Sequence, residues 1–296
     1  MDCPKCGFQQ LEELSECQRC GIIFARYFAD QGEAPGPRTD RTSRVLRRPS
    51  FETTDEHFPG RMLAIAAVAG LVAGYLPVIS WGISAFVTLF HEIGHTIFAW
   101  VLGQPAIPAF DFAFGGGFTR ISTFQPLLAI VILGALGWGV RSLRSQPRLA
   151  FALAVFLVFW MVAVTAEWRR ETVVSAGGAL GEVAFAAIFL FMAVTGTGLR
   201  SPEVERPVAA FIGFYTAFQT MRFGWGLATD REALELYQQG KGGAMMNDLE
   251  IIALNLHIHT PFNPGIEVLA RLLMVVIPPV IVAAIYAGFR RLRISG

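Results

Sequence analysis

Long apolar stretches separated by short polar breaks set the pattern of this chain from residue 62 onward. Seven of them, 62–80, 83–102, 125–140, 149–167, 172–198, 207–228 and 266–289, are candidate helices, since about 20 apolar residues cross a hydrocarbon core. The pattern predicts an α-helical polytopic membrane protein with six or seven transmembrane helices. Trp81, Trp100, Trp138, Trp160, Trp168 and Trp225 mostly fall near segment ends, where interfacial aromatic belts form. Seven plain crossings would carry Arg141, Arg144, Arg148, Arg290, Arg291 and Arg293 to the non-cytoplasmic side, against the preference of basic loops for the cytoplasm. At least one segment is therefore expected to be re-entrant or to span incompletely.

Two stretches depart from the helical pattern. Residues 104–124 combine Pro105 and Pro108 with alternating phenylalanines and the triplet Gly115-Gly116-Gly117, which predicts extended chain with a sharp turn. Residues 229–263 begin as a polar, glycine-containing loop, then pass through Asn247-Asp248 to an apolar run ending in His257, His259 and Pro261.

Composition sharpens the class. Of 296 residues, 53% are hydrophobic and only 16% charged, with a mean hydropathy of +0.49. Soluble domains carry about 25% charged residues, so the numbers argue against an ordinary cytosolic enzyme, and disorder is excluded. The formal net charge of +1 gives no reason to expect nucleic acid as a partner. Charge is unevenly spread: residues 1–61 hold 19 of the 47 charged side chains and all four cysteines. The chain therefore divides into a small module over 1–28, a flexible basic linker over 29–60 and a membrane body over 61–296. Arg38, Arg41, Arg44, Arg47, Arg48 and Arg61 precede the first apolar stretch. They place the N-terminus in the cytoplasm and suit a bilayer with anionic headgroups. The opening Met1-Asp2-Cys3-Pro4 has no basic and apolar signal-peptide pattern, which also points to a cytosolic head with reduced thiols.

Cys3-Pro4-Lys5-Cys6 and Cys17-Gln18-Arg19-Cys20-Gly21 are two CxxC knuckles, and four thiolates make a tetrahedral, closed zinc site. Ten residues between the knuckles suit a minimal zinc ribbon, which this segment resembles. A module this small cannot fold on apolar burial alone, so a structural Zn2+ would supply its stability. The ribbon would act as an appendage for a cytosolic partner, substrate or regulator.

The sharpest chemical signal is His91-Glu92-Ile93-Gly94-His95. Histidines four apart share one helix face, so both imidazoles can reach one zinc ion. Glu92 beside them can serve as general base toward a water that the metal activates. A bare HExxH is weak evidence, but the setting strengthens it. From Met62 through Phe110, Glu92 is the only charged residue, and His91 and His95 are the only histidines. A charged side chain at the bilayer centre costs at least about 2.5 kcal/mol, so this one needs a reason to be there. Gly94 would allow another helix or a substrate to approach closely.

Here the chain resembles the site-2 protease family of intramembrane zinc metalloproteases, particularly its compact bacterial branch. The resemblance rests on HEIGH within an apolar segment, on Gly115-Gly116-Gly117-Phe118-Thr119, on Ser175-Ala176-Gly177-Gly178-Ala179-Leu180-Gly181 opening a later helix, and on Asn247-Asp248. It covers roughly residues 62–260. It implies a multi-pass protein of the cell (inner) membrane that hydrolyses a peptide bond in or near a transmembrane segment of a membrane-protein substrate. His91 and His95 would bind catalytic Zn2+, Glu92 would be the catalytic base, and residues 115–119 would form an embedded β-hairpin that binds extended substrate by backbone pairing.

The family's third ligand is typically the aspartate of Leu-Asp-Gly, and this chain has no such tripeptide. Asp248 and Glu182 are the alternatives, Glu182 otherwise orienting a ligand histidine from behind. His257 and His259 are expected to be an interfacial pair without metal. Two readings from other classes stay open: a catalytically inactive membrane adaptor working through its ribbon, and a cation or proton transporter using the intramembrane His and Glu.

Overall fold

The computed structural model describes residues 3, 5, 6, 16, 17, 20, 22–24 and 27 of the N-terminal part, then 58–111, 116–239, 246–259 and 265–295. The chain divides into two compact units, Met1–Asp55 and Glu56–Gly296. The expected linker lies outside the described residues except for its last three, which are helical.

In the larger unit the order is α1 (Phe58–Tyr75), α2 (Pro77–Val101), β1 (Ala106–Asp111), β2 (Gly116–Ile121), α3 (Pro126–Ser142), α4 (Pro147–Val164), α5 (Glu167–Thr195), α6 (Pro202–Thr229), α7 (Arg231–Gln239), α8 (Asp248–Asn255) and α9 (Ile266–Ser295). The centre of the bundle is α5, packed against α2, α6, α8 and α9, while α1 lies on α6. Small side chains make this packing close: Ala186, Ala193, Ala209 and Ala210 are buried between α5 and α6 with Leu190 and Val194. By contrast α3 and α4 pair with each other and expose most of their apolar surface.

By length and apolarity, four helices among the described residues could cross a membrane, or up to five if a bent pair is one span. That falls short of the six or seven expected, for two reasons. Pro77 disfavours helical backbone at the residue before it, and Leu76 is extended at φ −91° and ψ 108°. The helix expected over 62–80 therefore stops at Tyr75, and α1 and α2 meet at a 107° bend. On α6, Thr216, Gln219, Thr220 and Arg222 dilute the apolar run over 207–228. These residues serve the fold: Gln219 Nε2 donates to Ser80 Oγ at 3.0 Å and Tyr215 Oη at 2.9 Å, and the Arg222 guanidinium donates to Gly74 O. The bend is thus held from one face of α6.

The stretch after α2 turns at Gly103, whose φ of +79° is comfortable only without a Cβ. It enters an antiparallel hairpin in which Phe110 pairs with Gly117 and Pro108 with Thr119. The expected extended chain is thus present. Gly115 lies outside the described residues, whereas Gly116, Gly117, Phe118 and Thr119 belong to β2. Trp100 Nε1 donates to Ala106 O at 2.8 Å and fastens the hairpin to α2. The Ser175–Gly181 glycine run does not open its helix: α5 begins at Glu167, so these glycines lie well inside it and face α2.

Candidate metal centre

Helix α2 presents Glu92 and His95 buried and His91 half-buried. Directly opposite runs the glycine face of α5, where bulk would be intolerable. A Cβ at Gly94 would collide with Gly177 O and lie 2.9 Å from Gly181 Cα, and one at Gly178 would lie 2.5 Å from His91 Nε2 and 2.7 Å from His95 Nε2. The glycines let two backbones meet and leave just enough room for the imidazoles.

Asp248 arrives from a distant part of the chain as the first residue of α8. Its position is fixed locally: the Asn247 N–H donates to Glu250 Oε2 at 3.3 Å, the Asn247 side-chain amide donates to Tyr237 O, and the Leu249 N–H donates to the Tyr237 hydroxyl. Burial pushes that phenol's pKa up, so it stays neutral. Asp248 Oδ2 lies 2.9 Å from His91 Nε2 and 3.1 Å from His95 Nε2.

The far side of each ring decides what the near side needs. His95 Nδ1 is 2.7 Å from Val174 O, which can only accept, so Nδ1 carries the proton. His91 Nδ1 is 2.7 Å from Glu182 Oε1, and a carboxylate there accepts a hydrogen bond from Nδ1–H, so that this nitrogen likewise keeps the proton. In the neutral rings both Nε2 lone pairs then face Asp248 Oδ2. Three electron-rich atoms, all within 4.8 Å of one another, need positive charge between them, which a proton on a ring nitrogen or a divalent ion can supply. The donor set of two imidazoles and one carboxylate is that of catalytic zinc sites. Of the two alternatives for the third position, Asp248 joins both histidines, and Glu182 contacts His91 from the opposite nitrogen.

Glu92 points toward the hairpin. Thr119 Oγ1 lies 2.6 Å from Glu92 Oε2 and 3.0 Å from Glu92 O, and a Cβ at Gly117 would lie 2.7 Å from Glu92 Cγ. Alternation along β2 puts residues 117 and 119 on one face, the face that covers the acid, while Phe118 is exposed. Sequence reasoning missed the Thr119–Glu92 contact, the Val174 carbonyl and Thr220, whose hydroxyl reaches Glu182 Oε2. Their signal was faint, because a threonine or a carbonyl in an apolar helix carries no spacing motif. His257 and His259 are exposed, with ring centroids 6.5 Å apart, and join no ligand cluster among the described residues.

In the N-terminal unit, Cys3, Cys6, Cys17 and Cys20 form a second cluster able to hold a metal. The Cys3–Cys20 and Cys6–Cys17 sulfur separations are both 3.7 Å. A disulfide needs about 2.05 Å, whereas the edge of a zinc tetrahedron with about 2.3 Å bonds is about 3.8 Å. The Cys17 N–H donates to Ile22 O at 2.9 Å, and Phe24 packs against Cys3 and Cys17. The four sulfurs thus fit one tetrahedral ion.

Fold and sites together define an α-helical protein with several helices apolar enough to cross a membrane and two clusters able to hold a metal. No protein-family model, curated protein or solved structure matches the chain.

Proposed function

We propose that this protein is an intramembrane zinc metalloprotease that hydrolyses a peptide bond in or near a transmembrane segment of a membrane-protein substrate. The observation that carries the reading is the convergence of Asp248 from α8 with His91 and His95 of α2, the helix that also bears the buried Glu92. His91, His95 and Asp248 would hold the ion, and zinc so bound supplies Lewis acidity toward a carbonyl and an attacking water. Glu92 takes the proton from that water and returns it to the leaving amine. The hairpin offers strand edges to an extended substrate, consistent with a substrate helix that must unwind before its peptide bonds are accessible. This reading agrees with the resemblance to the site-2 protease family drawn from the sequence motifs. The N-terminus would face the cytoplasm of a cell whose inner membrane holds the body, and the ribbon would carry a structural zinc.

The test is co-expression of a panel of single-span membrane proteins with wild type or Glu92→Gln. Cleavage products that depend on Glu92 are expected. Processing that proceeds equally in the Glu92→Gln strain would remove the protease reading.

A further inference from the structure

We infer that Glu182 and Thr220 are positioning residues that orient His91 toward the metal, and that Glu182 is not itself a ligand. The inference deepens the metal centre proposed above and rests on it.

The two nitrogens of an imidazole diverge, so a group bonded at one cannot reach an ion held at the other. Glu182 Oε1 sits 2.7 Å from Nδ1 of His91, while Nε2 faces Asp248. The second oxygen of Glu182 is also taken, because Thr220 Oγ1 approaches Oε2 at 2.5 Å. That hydroxyl has another acceptor within reach, Thr216 O at 2.9 Å. A carboxylate draws it more strongly than a neutral carbonyl does. Both oxygens of this half-buried acid are thus fixed by one donor each, from α2 and from α6. Thr220 is only 2% exposed, so no water can readily replace it.

The consequence is a chain of contacts across three helices, from α6 through Glu182 on α5 to His91 on α2. It keeps the Nδ1 proton in place, leaves Nε2 as a lone pair and sets the plane of the ring. His95 has the same service from the Val174 carbonyl, which no side-chain substitution can remove, so the Glu182 arm is the one open to test. Groups in this position behind a ligand histidine typically contribute 10–100-fold to metal affinity.

The experiment measures zinc in the full-length chain purified in detergent, by elemental analysis and then by competition with a chromophoric chelator. Wild type is expected to carry about two zinc ions, one at the four cysteines and one at the histidines. The cysteine-bound ion, held in the separate N-terminal unit, is expected in every variant and serves as an internal reference for zinc per chain, while Thr220→Ser and the thermal transition of the body report its folding. Glu182→Gln and Thr220→Val, both close in shape to the native residues, are expected to weaken the second ion about tenfold, and Glu182→Ala up to about a hundredfold. Thr220→Ser restores the hydroxyl and is expected to bind like wild type, an outcome that lost packing alone would not produce. Asp248→Ala is expected to release the second ion altogether. Wild-type affinity in Glu182→Gln, Glu182→Ala and Thr220→Val would overturn the inference while leaving the metal centre standing. So would a second zinc that survives Asp248→Ala but not Glu182→Ala, since that would make Glu182 the ligand. A wild-type chain with zinc at the cysteines alone would remove the metal centre, and this inference with it.

Discussion

The hydroxyl of Thr119 lies 2.6 Å from Oε2 of Glu92 and ties the β-hairpin to the acid that follows the first histidine of the HEIGH motif. Residue 119, expected in a substrate-binding strand, also meets Glu92, the proposed base. A hydrogen bond to a charged group contributes about 1.5–3 kcal/mol, so Thr119→Val should slow cleavage of a processed substrate by roughly tenfold or more. Thr119→Ser should retain most of it. Zinc content should be the same in both, as read by elemental analysis beside an immunoblot of the product.

Gly178 leaves no room for a methyl group, since a Cβ there would lie 2.5 Å from His91 Nε2 and 2.7 Å from His95 Nε2. Gly178→Ala must push one or both rings off their shared focus. Zinc per purified chain should fall by about one ion, with the cysteine-bound ion unaffected. Retention of both ions in that variant would contradict the placement of α5 against α2.

Protons and metal compete for the same atoms at this centre, because ligands bind only when deprotonated. Carboxylates ordinarily titrate well below imidazoles, so Asp248 stays charged over the range in which the histidines take up protons. Acid-driven release is therefore set by the imidazoles. The affinity of the second zinc should decline from about pH 8 to about pH 6 and keep declining below it, measured by chelator competition. A flat profile would argue against two histidine ligands.

The four-cysteine module should depend on its ion for folding. A unit this small has too little core, and its described apolar cluster comprises Cys3, Cys17 and Phe24 with Cys20 and Ile22 beside them. Cys3→Ser together with Cys17→Ser should cost about one zinc and leave the N-terminal segment open to limited proteolysis. The helical body should keep its own ion and its thermal transition.

Much of this was legible in the chain itself. Histidines spaced by four and flanking a glutamate, in a stretch with no other charge, could be read as a candidate metal site because helix geometry is local and periodic. The paired CxxC knuckles could be read from short-range ligand spacing, and the extended, glycine-rich stretch that forms the hairpin from its turn residues. The helix count was harder. Apolar content is a summed property of a window, whereas the 107° bend before Pro77 and the polar face of α6 belong to how particular residues meet.

What remained open could be closed only in three dimensions. Asp248 and Glu182 were both admissible from the sequence, each an acid beside an apolar run. Their separation into one that meets both Nε2 atoms and one that meets His91 Nδ1 depends on which side of a ring each acid approaches. That is fixed by α5 crossing α2 on its glycines and by the Asn247 and Tyr237 contacts that start α8. Spacing along a helix dictates which residues share a face. Only the packing of helices far apart in sequence dictates what that face confronts.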